Sequence, residues 1–105
     1  MPLRLNRADI DQGLQQLDHW SLDADDSHIV KAWQFDCFQT AMNFVVQVGE
    51  LAERLNHHPE LLSNYTRVRI RLTTHDANGL THLDFELARH IDQRVSQAFS
   101  DLRVQ

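Results

Sequence analysis

The chain has 105 residues, with ten Lys and Arg against fifteen Asp and Glu, for a formal net charge of -5. That length suits one domain, residues 1–105, built on a single hydrophobic core. The acidic balance argues against a broad nucleic-acid footprint, and a lone Cys37 excludes an intrachain disulfide or a cysteine-rich zinc site.

Asn6-Arg7-Ala8-Asp9 resembles a capping box, and Ile10, Leu14 and Leu17 follow at helical spacing. A short helix over 6–17 is predicted, with Gly13 counting against it. His19-Trp20-Ser21-Leu22 and His28-Ile29-Val30-Lys31-Ala32-Trp33-Gln34-Phe35 read as two strands joined by the polar turn Asp23–Ser27. Asp36-Cys37-Phe38-Gln39 has the spacing of a second capping box. Phe38, Ala41, Met42, Val45, Val48, Ala52 and Leu55 then recur every three or four residues, predicting a long helix over 38–56 that Pro59 stops.

Beyond Pro59, Leu61-Leu62 opens a short strand. Val68, Ile70 and Leu72 then alternate with Arg67, Arg69 and Arg71, so one strand face is apolar and the other basic. Asp76-Ala77-Asn78-Gly79 is a turn, and Thr81-His82-Leu83-Asp84 caps a last helix whose stripe is Leu83, Leu87, Ile91, Val95, Ala98 and Leu102. The order α-β-β-α-β-β-α predicts an α+β domain, a four-stranded antiparallel sheet with three helices packed on one face. No apolar run approaches the roughly 20 residues that span a bilayer, and no signal segment opens the chain. The expectation is a soluble, cytoplasmic protein without membrane attachment.

The chemistry concentrates in Glu53-Arg54-Leu55-Asn56-His57-His58-Pro59-Glu60 and Thr74-His75-Asp76. Imidazoles exchange protons near neutral pH, so three of them converging suits acid–base catalysis or a metal. Glu53 and His57 are four apart and can share a helix face, with Glu53 orienting His57; an ordinary surface pair at a helix C-terminus has the same spacing. Pro59 holds His58 toward an extended conformation. His75 ends a strand that can return it to the helix terminus. Asp84 is the acidic residue of a cap, and the same carboxylate can hold His75 or a ligand donor. No HExxH pattern accompanies the pair and adjacent histidines point apart, so no metal is expected. Phosphate-binding glycine loops and a serine-nucleophile elbow are also missing.

Elsewhere the plainer readings prevail. His19, His28, His82 and His90 read as exposed, Cys37 as passive, Trp33 as packing and the three strand arginines as a solvated face. Trp20 is open between burial and stacking on a flat heterocycle.

In the ordered set Glu53-x-x-x-His57-His58-Pro59-Glu60, Tyr65, Val68-x-Ile70-x-Leu72-x-Thr74-His75, Gly79-Leu80 and Asp84, the chain resembles the pterin-4a-carbinolamine dehydratase family. Leu17-x-x-Trp20, Phe35 and the Phe38–Phe44 segment extend the likeness over almost the whole length. The resemblance implies a hydro-lyase, a 4a-hydroxytetrahydrobiopterin dehydratase that removes water from 4a-hydroxytetrahydropterin to give quinonoid dihydropterin, with no cofactor. It implies His57 and His75 as the acid–base residues, His58 as a substrate-binding group, Glu53 and Asp84 as supports, and Trp20 as a pocket aromatic. It also implies coupling to an aromatic-amino-acid hydroxylase and a homodimer or homotetramer. The alternatives are a protein-binding or transcription-coactivating module, or a pterin-binding protein in molybdopterin metabolism. His19, Leu61 and Leu62 depart from residues frequent in the family. They leave the three imidazoles and two carboxylates intact.

Overall fold

A computed structural model describes residues 2–99 and the backbone of 103–104. The elements run α1 (Arg7–Gln15), β1 (Ser21–Leu22), β2 (Ile29–Gln34), α2 (Phe38–Leu55), β3 (Glu60–Asn64), β4 (Arg67–Leu72), a 3-10 turn (His75–Ala77), α3 (His82–Ala98) and β5 (Arg103–Val104). The first four strands form the expected antiparallel sheet in the order β1-β2-β4-β3. β5, which the periodicity did not announce, pairs with Trp33 and Gln34 on β2, next to the stretch that β1 covers. The helix predicted through this region ends at Ala98, and Leu102 lies outside the described residues.

Alternation along β4 sets the two layers. Val68, Ile70 and Leu72 are buried against the helices, while Arg67, Arg69 and Arg71 occupy the opposite face. Register with β2 carries the pattern across, because Trp33 opposes Val68, Lys31 opposes Ile70 and Ile29 opposes Leu72. The helices bring Phe44, Val48 and Leu51 from α2 and Phe85, Leu87, Ala88 and Ile91 from α3 onto this surface. Trp33 and Phe44, both fully buried, meet with ring centroids 4.9 Å apart. Each such side chain contributes about 1.5–3 kcal/mol by leaving water. β3 lies at the sheet edge beyond the helices, and all five of its residues are exposed, Leu62 to 56%.

Local signals explain the helix boundaries. The Asn6 side chain accepts from Asp9 N at 2.8 Å, starting α1 as its sequence suggests. Gly13 is tolerated for a packing reason: a Cβ there would lie 2.6 Å from the Phe85 ring, so only glycine lets α1 seat this closely on α3. The capping box expected at Asp36 does not form. Cys37 is the N-cap, without a side-chain cap bond, which moves Gln39 one place too early to reciprocate. Thr81 and Asp84 do form theirs, at the start of α3.

Candidate active site

The long helix ends on Asn56, which adopts the left-handed conformation with φ 52°. The backbone N–H of His57 then closes on Ala52 O at 3.0 Å, a turn that lifts His57 and His58 off the helical path. This corrects the expected pairing of Glu53 with His57, since a four-residue spacing governs side chains only while the helix continues. Glu53 Oε1 instead accepts from His58 Nε2 at 2.6 Å, on the exposed side. His57 turns inward, its side chain 9% exposed, and its Nε2 lies 2.6 Å from Asp84 Oδ1.

Asp84 is fully buried and serves two structures at once. As the third residue of α3 it accepts the Thr81 backbone N–H at 3.0 Å, and Thr74 Oγ1 donates to the same oxygen at 2.9 Å. Thr81 Oγ1 sits 2.7 Å from Thr74 Oγ1, completing a closed polar cluster. A desolvated carboxylate needs several donors, and here a backbone amide, a hydroxyl and an imidazole supply them. The carboxylate acts as the acceptor throughout, so the shared proton belongs to His57 Nε2 and leaves Nδ1 as the ring's other polar atom. The periodic signals could not show that one residue both caps a helix and holds a histidine.

His75 opens the 3-10 turn after β4 and is exposed. It makes no side-chain hydrogen bond among the described residues. In particular, Asp84 holds His57 rather than His75. The chain nevertheless brings the three imidazoles together: His57, His58 and His75 line one open cavity of about 280 Å³, with Asn56, Thr74 and Leu83. A neighbouring cavity of about 290 Å³ shares His58, Thr73 and His75 with it and adds His28, Glu60 and Arg71. Among the described residues, no three His, Cys, Asp or Glu side chains converge in a metal-holding arrangement.

Trp20 is placed elsewhere. It is buried in the core with its Nε1 donating to Asp92 Oδ2 at 3.0 Å, and it lines neither cavity. The same Asp92 receives Lys31 Nζ at 2.8 Å, and that ammonium lies 5.3 Å from the centre of the Trp33 ring. An indole N–H buried in a core usually finds an acceptor, and for Trp20 that acceptor is Asp92.

Two residues whose sequence context suggests a surface position, His28 and Arg71, line the second cavity. The His28 side chain is only 18% exposed, with Nδ1 2.6 Å from Ser27 Oγ. Arg71 reaches both oxygens of Glu60, at 3.0 and 2.9 Å, and Asp23 Oδ2 at 3.1 Å. Burial works to raise the Asp23 carboxyl, but the Arg71 hydrogen bond and the backbone N–H groups of Ser27 and His28 outweigh it and hold the group below its ordinary value. The arginines were visible as a polar strand face. Which acids lie across from them depends on strand pairing, which no local pattern encodes.

Taken together, these features define a small α+β domain presenting imidazoles, one of them anchored by a buried carboxylate, at an open cleft where three elements end. The sequence signature of the Pterin 4 alpha carbinolamine dehydratase family matches residues 3–94. A relative from Sinorhizobium medicae (strain WSM419) that carries this dehydratase's name is 42% identical over 100 residues, covering 95% of each chain. Another so named, from Chloroflexus aggregans (strain MD-66 / DSM 9485), is 47% identical over 90 residues, covering 86% of this chain and 95% of its own. The crystal structure of a transcriptional coactivator/pterin dehydratase from Brucella melitensis superposes with a TM-score of 0.83 at 37% identity, covering 86% of this chain and 96% of that one. The chain belongs to the pterin-4-alpha-carbinolamine dehydratase family. Membership supports a pterin carbinolamine dehydratase activity, that of a lyase.

Asp84→Asn places an amide donor among groups that already donate, and is expected to lower the unfolding free energy by about 1–3 kcal/mol. Glu53→Gln, at an exposed pair, is expected to leave the unfolding midpoint nearly unchanged. Urea unfolding of both variants checks this, and equal small effects would contradict the weight given to Asp84.

Proposed function

We propose that the protein dehydrates 4a-hydroxytetrahydropterin, of the tetrahydrobiopterin type, to quinonoid dihydropterin by histidine acid–base catalysis. The observation that carries this reading is His57, buried and bonded through Nε2 to Asp84, on one cavity with the exposed imidazole of His75. The reaction breaks the C4a–O bond and the N5–H bond and forms a double bond between C4a and N5. The electrons of the N–H bond become the new π bond, and the C4a–O pair leaves with the oxygen. One proton must be taken from nitrogen and one given to oxygen, so the oxidation level is unchanged and water is the only other product.

A His57 ring whose proton is fixed on Nε2 offers Nδ1 as an acceptor, the arrangement of a base. His75, exposed and without a side-chain partner among the described residues, is the residue assigned to protonate the departing hydroxyl. His58 is tied to Glu53 at the cavity rim and suits holding the substrate. Trp20, bonded to Asp92 in the core, supports the sheet behind the site. The same reading places the enzyme in the cytoplasm, coupled to an aromatic-amino-acid hydroxylase that makes its substrate.

Self-association into a homodimer or homotetramer belongs to this reading and is supported by the uncovered edge of β3. A second role as a protein-binding module is favoured by the same edge and by the description of the Brucella melitensis relative as a transcriptional coactivator/pterin dehydratase.

His57→Ala and His75→Ala are each expected to fold and to lose about 10²–10⁴ in kcat/KM for 4a-carbinolamine dehydration. Wild-type rates in both would sink the assignment. The mass in solution is expected to be a multiple of the 12.3 kDa chain, and a monomer at assay concentrations would remove the oligomer from the reading.

A further inference from the structure

His75 sits on a short excursion of the chain between Thr74 and Gly79. Its two legs are joined by Thr74 N donating to Gly79 O at 3.1 Å and Gly79 N donating to Thr74 O at 3.4 Å. Between them lie the 3-10 turn and Asn78, which is left-handed with φ 58°. The Thr74 leg is pinned from the interior, because its hydroxyl donates to the buried Asp84. Gly79 has no side chain to anchor the other leg, and support comes from the segment before α1. Leu5 N–H donates to Leu80 O at 2.8 Å, fastening that segment beside the second leg. One residue earlier, the Arg4 stem lies on Gly79: a Cβ there would be 3.1 Å from Arg4 Cδ and 3.3 Å from Cγ. Gly79 is buried while Arg4 is exposed, so the methylenes shield the backbone of the turn from water. The segment continues to Pro2, which lines the same cavity as His57, His58 and His75.

We infer that Arg4 is a positioning residue for His75, acting through Gly79. The inference rests on the dehydratase reading, in which His75 protonates the departing hydroxyl. The His75 ring is exposed and has no side-chain bond among the described residues, so its place is set by its backbone. One leg of that backbone shares Asp84 with His57, which ties it to the base. The freedom left between acid and base therefore lies in the second leg, on which Arg4 packs. Arg4 does not itself line the cavity, and its guanidinium has no polar partner among the described residues. Its contribution is that of the stem, as long charged side chains cover apolar surface and backbone with their methylenes while the head stays in water. A reacting group misplaced by about 1 Å can cost on the order of 10²-fold in rate, so a contact outside the cavity reaches the chemistry. Loss of that placement falls on the transition state, since His57 and His58 still hold the substrate.

The test compares Arg4→Ala, which removes the stem, with Arg4→Met, which keeps a stem of similar length and drops the charge. Steady-state kinetics on 4a-hydroxytetrahydrobiopterin and backbone amide exchange are measured for both variants and the wild type. Arg4→Ala is expected to lose about tenfold in kcat with KM nearly unchanged, and to speed exchange of the Thr74 and Gly79 amides by a similar factor. Arg4→Met is expected to recover most of the kcat and the slow exchange. Wild-type kcat in Arg4→Ala, a loss confined to KM, or unchanged exchange beside an active wild type would overturn the inference while leaving the dehydratase reading intact. Arg4→Met as impaired as Arg4→Ala would also overturn it, by assigning the effect to the charge. Absence of turnover in the wild type would overturn the dehydratase reading and the part given to Arg4 with it.

Discussion

The buried carboxylate of Asp84 is the point at which the fold and the candidate chemistry are joined. It caps α3 through Thr81, anchors the end of β4 through Thr74 and fixes His57 at the end of α2. A carboxylate removed from water is costly unless every lone pair finds a donor, and three separate elements must therefore arrive together to satisfy it. The same requirement that makes the group expensive makes the arrangement specific. An element that shifted would strand a charge in the core, so the termini that carry the imidazoles are held in register by the interior.

Around that point the histidines fall into different mechanical states. His57 is buried and bonded, His58 is tied to an exposed acid at the rim, and His75 is exposed on a short turn. Proton transfer in two directions benefits from such a division: one ring with a fixed tautomer and another able to meet a leaving group. The sheet supplies the rest. Its helix-covered face is filled by apolar side chains. The opposite face carries the arginines, and Arg71 joins Asp23 and Glu60 into a wall beside the histidines.

The strong periodicities of α2 and β4 were legible from sequence, as was the Thr81–Asp84 capping box. These signals are local, set by a helix or strand repeat or by a three-residue spacing. The convergence of His57, His58 and His75 on one cleft was legible by resemblance. Its wiring was not. The Glu53–His57 pairing failed because Asn56 leaves the helix through a left-handed turn, and Asp84 holds His57 instead of His75. Trp20 fits a heterocycle as well as a core until Asp92, on a distant helix, is seen beneath its indole N–H. His28 and Arg71 read as surface because their partners come from other strands and turns. The strand at Arg103–Val104 gave no signal, being two residues of edge pairing without a repeat.

The central claim, that Asp84 fixes the His57 ring with its proton on Nε2, is open to a direct measurement. Nitrogen-15 NMR of the histidine side chains, assigned with the His57→Ala variant, reports which ring nitrogen carries hydrogen. The account predicts a hydrogen on His57 Nε2, protected from exchange, with that protection lost in Asp84→Asn. A His57 ring protonated only on Nδ1, or an Nε2 hydrogen equally protected without the Asp84 carboxylate, would contradict it.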